Sequence, residues 1–150
     1  MSPNNWGPPT WIFLHTLCEK IKEESFPIIS NSLISFIMNI CSNLPCPDCS
    51  QHSKSFWSKV NKSNIKNKTD LKNILFVFHN VVNKRKNYAP FKYQDLQYYK
   101  TKNIIETYNS FSRNFNTKGN MKLLTESFHR NILMTTLKKW LMSNLIHFEI

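Results

Sequence analysis

The 150-residue sequence predicts an all-α fold, and three observations carry that expectation. Only two glycines occur, Gly7 and Gly119, and both lie outside the strongly periodic segments. Alternating β-branched runs, the mark of strands, are scarce. Apolar residues recur instead at spacings of three and four, which gathers them on one face of a helix.

The first helix is expected from about Thr10 to Glu24, where Trp11, Leu14, Cys18 and Ile21 recur at helical spacing. A second begins near Pro27, a residue suited to a first turn because its missing N–H would be unpaired there anyway. Ile28, Leu33, Phe36, Ile37, Ile40 and Leu44 give it a broad apolar face, and it must stop before Pro45. A third starts at or just after Cys46 and carries His52, Phe56 and Val60. Lys59 to Lys68 is polar and rich in Asn and Lys, so it reads as a loop. Thr69 or Asp70 can cap a fourth helix through Leu71, Leu75, Phe78 and Val82. Four helices on short loops suggest a four-helix bundle over residues 1–93.

Residues 94–150 read as a helical C-terminal extension. Tyr93 to Phe111 can form a fifth helix, and Asn114 to Asn120 reads as a linker. Met121 to Phe148 is amphipathic, with Leu124, Phe128, Leu133, Leu137, Trp140, Leu141 and Leu145 near one stripe. Packing on the bundle is the default for such a stripe; a dimer interface or a partner's docking face are the alternatives.

Composition narrows the function classes. The length is that of one domain with room for a core, and 41% hydrophobic residues argue against disorder. Twenty Lys+Arg against nine Asp+Glu leave a formal net charge of +11. An Asn-, Lys- and Ile-rich composition of the AT-rich kind explains this without a partner, since the lysines are scattered; an anionic partner is the functional alternative. No segment reaches the roughly 18 consecutive apolar residues expected of a membrane span. The opening Met-Ser-Pro-Asn-Asn-Trp has neither a signal peptide's apolar run nor a transit peptide's Arg-rich character, so the chain is expected to stay where it is made or to be carried by a partner. Cys18, Cys41, Cys46 and Cys49 are too few and too unevenly spaced for a secreted disulfide scaffold, and suit an intracellular protein with one reactive pair.

That pair is Cys46-Pro47-Asp48-Cys49. Pro45 ends one helix and the pair opens the next, so backbone N–H groups at that N-terminus can stabilise a thiolate. Such a pair can close a small disulfide and exchange two electrons, although zinc sites use the same spacing. Three further islands surround it: Trp6-Gly7-Pro8-Pro9-Thr10-Trp11 with His15, then His52, then His79-Asn80-Val81-Val82-Asn83. Thioredoxin-like relays need an alternating βαβ pattern, which is missing here. An oxidase instead needs a bound two-electron cofactor that reacts with oxygen, and a flavin does so.

From Trp6 to Tyr93 these islands resemble the Erv/ALR family of FAD-dependent sulfhydryl oxidases, particularly the short versions of large DNA viruses. The resemblance implies FAD, with the isoalloxazine beside Cys46 and Cys49, and aromatic and histidine residues around the adenine. Trp11 and His15 match the family's Trp-x-x-x-His contacts, and Gly7 its glycine. His52 matches the histidine after the pair, and His79, Asn80 and Asn83 its His-Asn-x-x-Asn motif. His79 and Asn83 stand four apart on a helix and face one way. Lys84, Arg85 and Lys86 are candidates for the pyrophosphate. Where relatives have Leu-Gly-Lys the chain reads Lys86-Asn87-Tyr88, which puts one lysine contact in doubt. Tyr93 stands where relatives carry an aromatic against the adenine.

The resemblance further implies a thiol oxidase: substrate thiolate attacks Cys46, and Cys49 resolves the mixed disulfide and then lies against the flavin. Oxygen is the acceptor and hydrogen peroxide the product. No second cysteine pair follows Cys49, so a separate disulfide shuttle protein or the thiol substrate itself meets the enzyme directly. Cys18 and Cys41 are expected as core thiols, with a bridge between the first two helices as the alternative. A homodimer through the first helices is implied, in host cytoplasm or virion, with the mitochondrial intermembrane space as the alternative compartment. Two rivals stand beside this reading: a zinc module using Cys46, Cys49, His52 and a fourth ligand such as Cys41, and a basic nucleic-acid binder.

Overall fold

The computed structural model describes residues 3–115 and 124–150, and the described residues form an all-α fold. Helix α1 spans Pro3–Lys20, α2 Phe26–Ser42, α3 Pro47–Ser58, α4 Lys68–Arg85, α5 Ile104–Phe115 and α6 Leu124–Ser143. A 3₁₀ segment, Tyr93–Thr101, links α4 to α5.

Helix α1 starts earlier and ends earlier than the periodicity suggests. Pro8 and Pro9 lie inside it, where each lacks the N–H that would bond the carbonyl four residues back. Burial of the Trp6 side chain offsets part of that loss, and the Thr10 hydroxyl donates to the Trp6 carbonyl at 2.6 Å. At the other end, Lys22 N–H donates to the His147 carbonyl and Glu149 N–H to the Lys20 carbonyl, so the C-terminal strand-like bridge Ile21–Phe148 replaces a further helical turn.

Helix α2 has Pro27 in its first turn and buries Phe26, Ile29, Leu33, Ile34, Ile37, Ile40 and Cys41. Ile28 falls off this face and is 68% exposed, because the turn that begins at Phe26 sets Ile29 inward. The stretch Glu23–Ser42 is long and apolar enough to cross a membrane by length and composition. Its buried stripe accounts for that hydropathy as a core helix.

Helix α3 begins as the sequence requires, with Cys46 at the N-cap and Pro47 in the first turn. The cap of α4 is Asn67, whose side chain accepts from Asp70 N–H at 2.8 Å; Thr69 and Asp70 lie one turn inside. Leu71, Leu75, Phe78 and His79 are its buried face.

The expected fifth helix is divided. Asn103 accepts from the N–H groups of Ile105 and Glu106 at 2.9 and 3.0 Å, capping a new helix and stopping the 3₁₀ segment before it. Helix α5 lies on α1, with Phe13 stacked on Phe111 at 4.8 Å and edge-on to Tyr108 at 5.7 Å. Helix α6 returns to α2, where Trp140 Nε1–H donates to Ser32 Oγ at 2.9 Å. Leu133, Leu137 and Leu141 are buried there, but Phe128 is 63% exposed and lies off the stripe. One hydrophobic cluster runs from Phe13 on α1 through α2 and α4 to Phe111 and Leu137. Burial of each such large side chain stabilises the fold by about 2–3 kcal/mol. The linker expected at Asn114–Asn120 begins inside α5; residues 116–120 lie outside the described residues, as does Gly119.

Candidate active site

A cavity of about 370 Å³ opens between α1, α3 and α4. Helix α1 contributes Trp6, Gly7, Thr10 and Trp11, α3 contributes Cys49 and Ser53, and α4 contributes His79, Asn83 and Arg85, with Lys86 just after it. Cys41 and Leu44 close the floor from the end of α2, and Tyr88 and Tyr99 reach in from the segment after α4.

Cys46 and Cys49 occupy different settings within one turn. The Cys46 sulfur is the N-cap acceptor, receiving Cys49 N–H at 3.2 Å, and its side chain is half-buried. Cys49 is 6% exposed and lines the cavity. Burial pushes the Cys49 thiol above its ordinary range, as do its hydrogen bond with Cys46 and that neighbour's charge; Lys86 and Arg85 pull it back. Arg85 also reaches the Asp48 carboxylate at 3.7 Å, and Lys86 Nζ lies 6.0 Å from the Trp6 ring centroid.

The aromatic wall is layered. Trp11 stacks on His79 with centroids 3.8 Å apart and planes within 5°. Behind them His15 Nε2 and His79 Nδ1 approach to 2.8 Å. One proton serves that contact, so one ring donates and the other accepts. Burial, and for His15 the neighbouring His79, push the two down to about 3 and about 4, so both are neutral near neutral pH. Tyr99 stacks on His15 at 4.6 Å, and Phe91 on His79 at 4.8 Å.

The asparagines of α4 shape the loop that closes this wall. Asn80 donates to the Phe91 carbonyl at 2.9 Å and accepts its N–H at 2.7 Å, fixing Phe91 against His79. At the end of α4, Tyr88 N–H returns to the Asn83 carbonyl at 2.8 Å and Asn87 N–H to the Lys84 carbonyl at 3.2 Å. This paired closure needs a left-handed residue, and Asn87 supplies it at φ 59°. Asparagine tolerates that region, and it stands where the family pattern has glycine.

The expected site residues therefore separate by position. Gly7, Trp11, Cys49, His79, Asn83 and Lys86 line the cavity. His15 supports His79 from behind, and Asn80 acts through the backbone of Phe91. His52 is on the exposed side of α3, 3.7 Å from Asp48, and Lys84 is exposed and outside the lining. Tyr93 donates its hydroxyl to Asn73 at 2.8 Å and sits edge-on to Phe76, away from the cavity. Trp6, Tyr99 and Phe91 were not anticipated as site residues. Trp6 and Trp11 stand five apart, a spacing that a helix starting at Thr10 hides; Phe91 lies two residues before the aromatic expected at Tyr93.

These residues fit a flat, polar-edged cofactor such as FAD. The Trp6 indole N–H is buried with no partner in the protein, and Trp6 lines the cavity. A Cβ on Gly7 would meet nothing within 4 Å, which leaves open space at the same wall. Among the described residues no three His, Cys, Asp or Glu side chains converge as metal ligands. His52 faces Asp48 at the surface while Cys41 lies under the cavity floor.

Comparison with known proteins agrees with this geometry. The model of the Erv1 / Alr family matches residues 8–103. The chain is 29% identical over 103 residues to an FAD-linked sulfhydryl oxidase of African swine fever virus (isolate Pig/Kenya/KEN-50/1950), covering 69% of this chain and 86% of the relative. A second isolate of that virus (Tick/Malawi/Lil 20-1/1983) has an FAD-linked sulfhydryl oxidase 34% identical over 83 residues, covering 55% and 69%. A putative FAD-linked sulfhydryl oxidase, 347L, of Invertebrate iridescent virus 6 is 28% identical over 91 residues, covering 57% and 82%. No solved structure matches the chain.

Proposed function

The chain belongs to the Erv1 / Alr family, and on that premise we propose that it is an FAD-linked sulfhydryl oxidase that forms disulfide bonds in substrate proteins. The observation that carries the reading is the division of labour at α3: Cys49 opens on the aromatic-walled cavity while the Cys46 sulfur lies at the helix cap beside it.

Substrate thiolate attacks the Cys46 sulfur of the oxidised pair. A substrate–Cys46 disulfide forms, the Cys46–Cys49 bond breaks, and Cys49 leaves as thiolate. Charge balance then assigns product release to the substrate's second thiol, which displaces Cys46; attack by Cys49 on the mixed disulfide would only reverse the first step. FAD, when bound, supplies the two-electron acceptor that restores the disulfide, and oxygen in turn accepts the electrons as hydrogen peroxide. Trp11, backed by His79, offers a flat face, Trp6 an unpaired donor, and Asn83, Lys86 and Tyr88 polar edges for holding it. Gly7 leaves it room, and His15 and Asn80 hold His79 and Phe91 in register. His52 and Tyr93, implied by the family pattern, and Lys84, a candidate for the pyrophosphate, lie outside the cavity lining.

The substrate is a thiol-containing protein or a separate disulfide shuttle protein. The relatives above are viral proteins, which supports a viral setting, in host cytoplasm or virion. Residues 94–150 are read as a helical extension from which Tyr99 reaches the cavity while α5 and α6 pack on α1 and α2, and the family reading implies a homodimer; the mass in solution decides between dimer and monomer.

The visible absorption spectrum of the purified protein tests the reading. A flavin band that bleaches with dithiothreitol without oxygen and returns in air is expected. A colourless protein that takes up no added FAD sinks it.

A further inference from the structure

We propose that Arg85 is a positioning residue for the redox pair: its guanidinium, paired with the Asp48 carboxylate and lining the same cavity as Cys49, stabilises the negative charge that Cys49 acquires when the disulfide opens. This deepens the oxidase reading and rests on it for the step concerned, but not for the pairing of Arg85 with Asp48.

The geometry comes from the meeting of two helix ends. Helix α4 ends at Arg85, and α3 begins at Pro47 with Cys46 as its cap. Arg85 Nη1 lies 3.7 Å from Asp48 Oδ2, the carboxylate between the two cysteines in sequence. The Arg85 side chain is only 28% exposed and lines the cavity alongside Cys49, whose thiol it helps to pull down. Asp48 is 78% exposed, so its own pairing with Arg85 is a weak, solvated contact. The inner sulfur is the drier partner, and there a charge-assisted bond counts for more.

Other charged and titratable groups face Cys49 from both helices. From α3 come Cys46 and Asp48, with His52 3.7 Å from Asp48; just after α4 comes Lys86, whose ammonium is drawn over Trp6. Lys86 exerts the larger pull on Cys49 as a point charge, and Arg85 adds a fork that can serve a carboxylate and a sulfur together. While the pair is a disulfide, the sulfur carries no charge and Asp48 holds the guanidinium in place. Attack of a substrate thiolate on Cys46 moves one negative charge from the substrate sulfur to Cys49, and Arg85 is already held at the same cavity by Asp48. A better-stabilised leaving thiolate leaves faster and makes the disulfide a stronger oxidant.

The test is the pH dependence of iodoacetamide reaction at Cys49 in the full-length protein carrying Cys46→Ser, followed by mass analysis of the Cys49 peptide. Cys18 and Cys41 are fully buried and give no fast reaction in the folded chain. Adding Arg85→Gln is expected to move the midpoint up by about one pH unit, slowing reaction roughly tenfold below it. Arg85→Met repeats this without the amide, and Arg85→Lys restores most of the rate. A profile unmoved in both neutral variants overturns the proposal. Loss of bound FAD with an unmoved profile does so equally, since it assigns Arg85 to the cofactor alone. A shifted profile in a protein that never binds FAD keeps the proposal and sinks the oxidase reading instead.

Discussion

Two pairs of cysteines occupy one small molecule and meet opposite environments. Cys46 and Cys49 stand at the head of α3, where a backbone N–H, Arg85 and Lys86 converge on sulfur and a cavity lies alongside. Cys18 on α1 and Cys41 on α2 are both about 1% exposed and packed in the apolar cluster. Burial pushes the Cys18 thiol far up, with Glu19 adding to it, and pushes Cys41 up to about 12. A thiol held protonated is a poor nucleophile, so the same element serves chemistry in one place and packing in the other. The Cys49 thiol is pushed up as well, so what separates the pairs is the half-buried Cys46 sulfur one turn from Cys49 at a helix cap, which Cys18 and Cys41 lack.

The largest expected effect follows from that contrast. Cys46→Ser and Cys49→Ser should each abolish thiol-dependent oxygen uptake while FAD stays bound. Cys18→Ala should instead keep the activity per bound flavin and lower stability by about 1–2 kcal/mol, through the small void it leaves. Oxygen uptake and thermal melts on the three proteins decide it. Loss of flavin in both serine variants would make the pair a structural clasp.

The second effect concerns the polar side of the same boundary, the buried His15–His79 pair. In the unfolded chain each histidine takes a proton below about 6.5, whereas the folded pair resists protonation down to about 3 and about 4. Their folded values are depressed, so the unfolded state binds more protons as pH falls. The stability they permit is complete above pH 6.5 and is lost on acidification toward pH 4. The loss should reach roughly 3 kcal/mol for the two together at pH 5.5. Urea melts of the FAD-free protein at pH 7.5 and 5.5 measure it, and a His15→Gln/His79→Gln variant should flatten the difference. An unchanged difference would assign it to other groups.

How much of this was legible depends on whether local rules or tertiary contacts decide each feature. The start of α3 was readable because Pro45 and Pro47 bracket Cys46 and leave it one role, the cap. The buried face of α4 was readable because Leu71, Leu75 and Phe78 repeat at helical spacing. The start of α1 was not, since Pro8 and Pro9 argue locally for a later beginning and only burial of Trp6 overrides them. The break before α5 was not readable either, since it rests on the Asn103 side chain accepting from the N–H groups of Ile105 and Glu106. In the site, Cys49, Trp11 and His79 came from motif types at matching spacing. Phe91 and Tyr99 depend on where the loop after α4 returns, which the Asn80 clamp and the left-handed Asn87 determine through the backbone.

The smallest effect tests that loop. Tyr93 is 50% exposed, and its hydroxyl engages Asn73, whereas Phe91 is half-buried and stacked on His79. Tyr93→Ala should therefore change stability and FAD retention by about 0.5 kcal/mol or less, as surface substitutions do. Phe91→Ala removes a ring that holds His79 against Trp11, and an aromatic pair of this kind contributes about 0.5–1.5 kcal/mol, so FAD retention should fall up to about tenfold. Fluorescence titration of the two FAD-free variants with FAD compares them directly. If Tyr93→Ala loses FAD and Phe91→Ala keeps it, the family pattern has located the adenine contact correctly, and the wall behind His79 is packing, like the cysteines of α1 and α2.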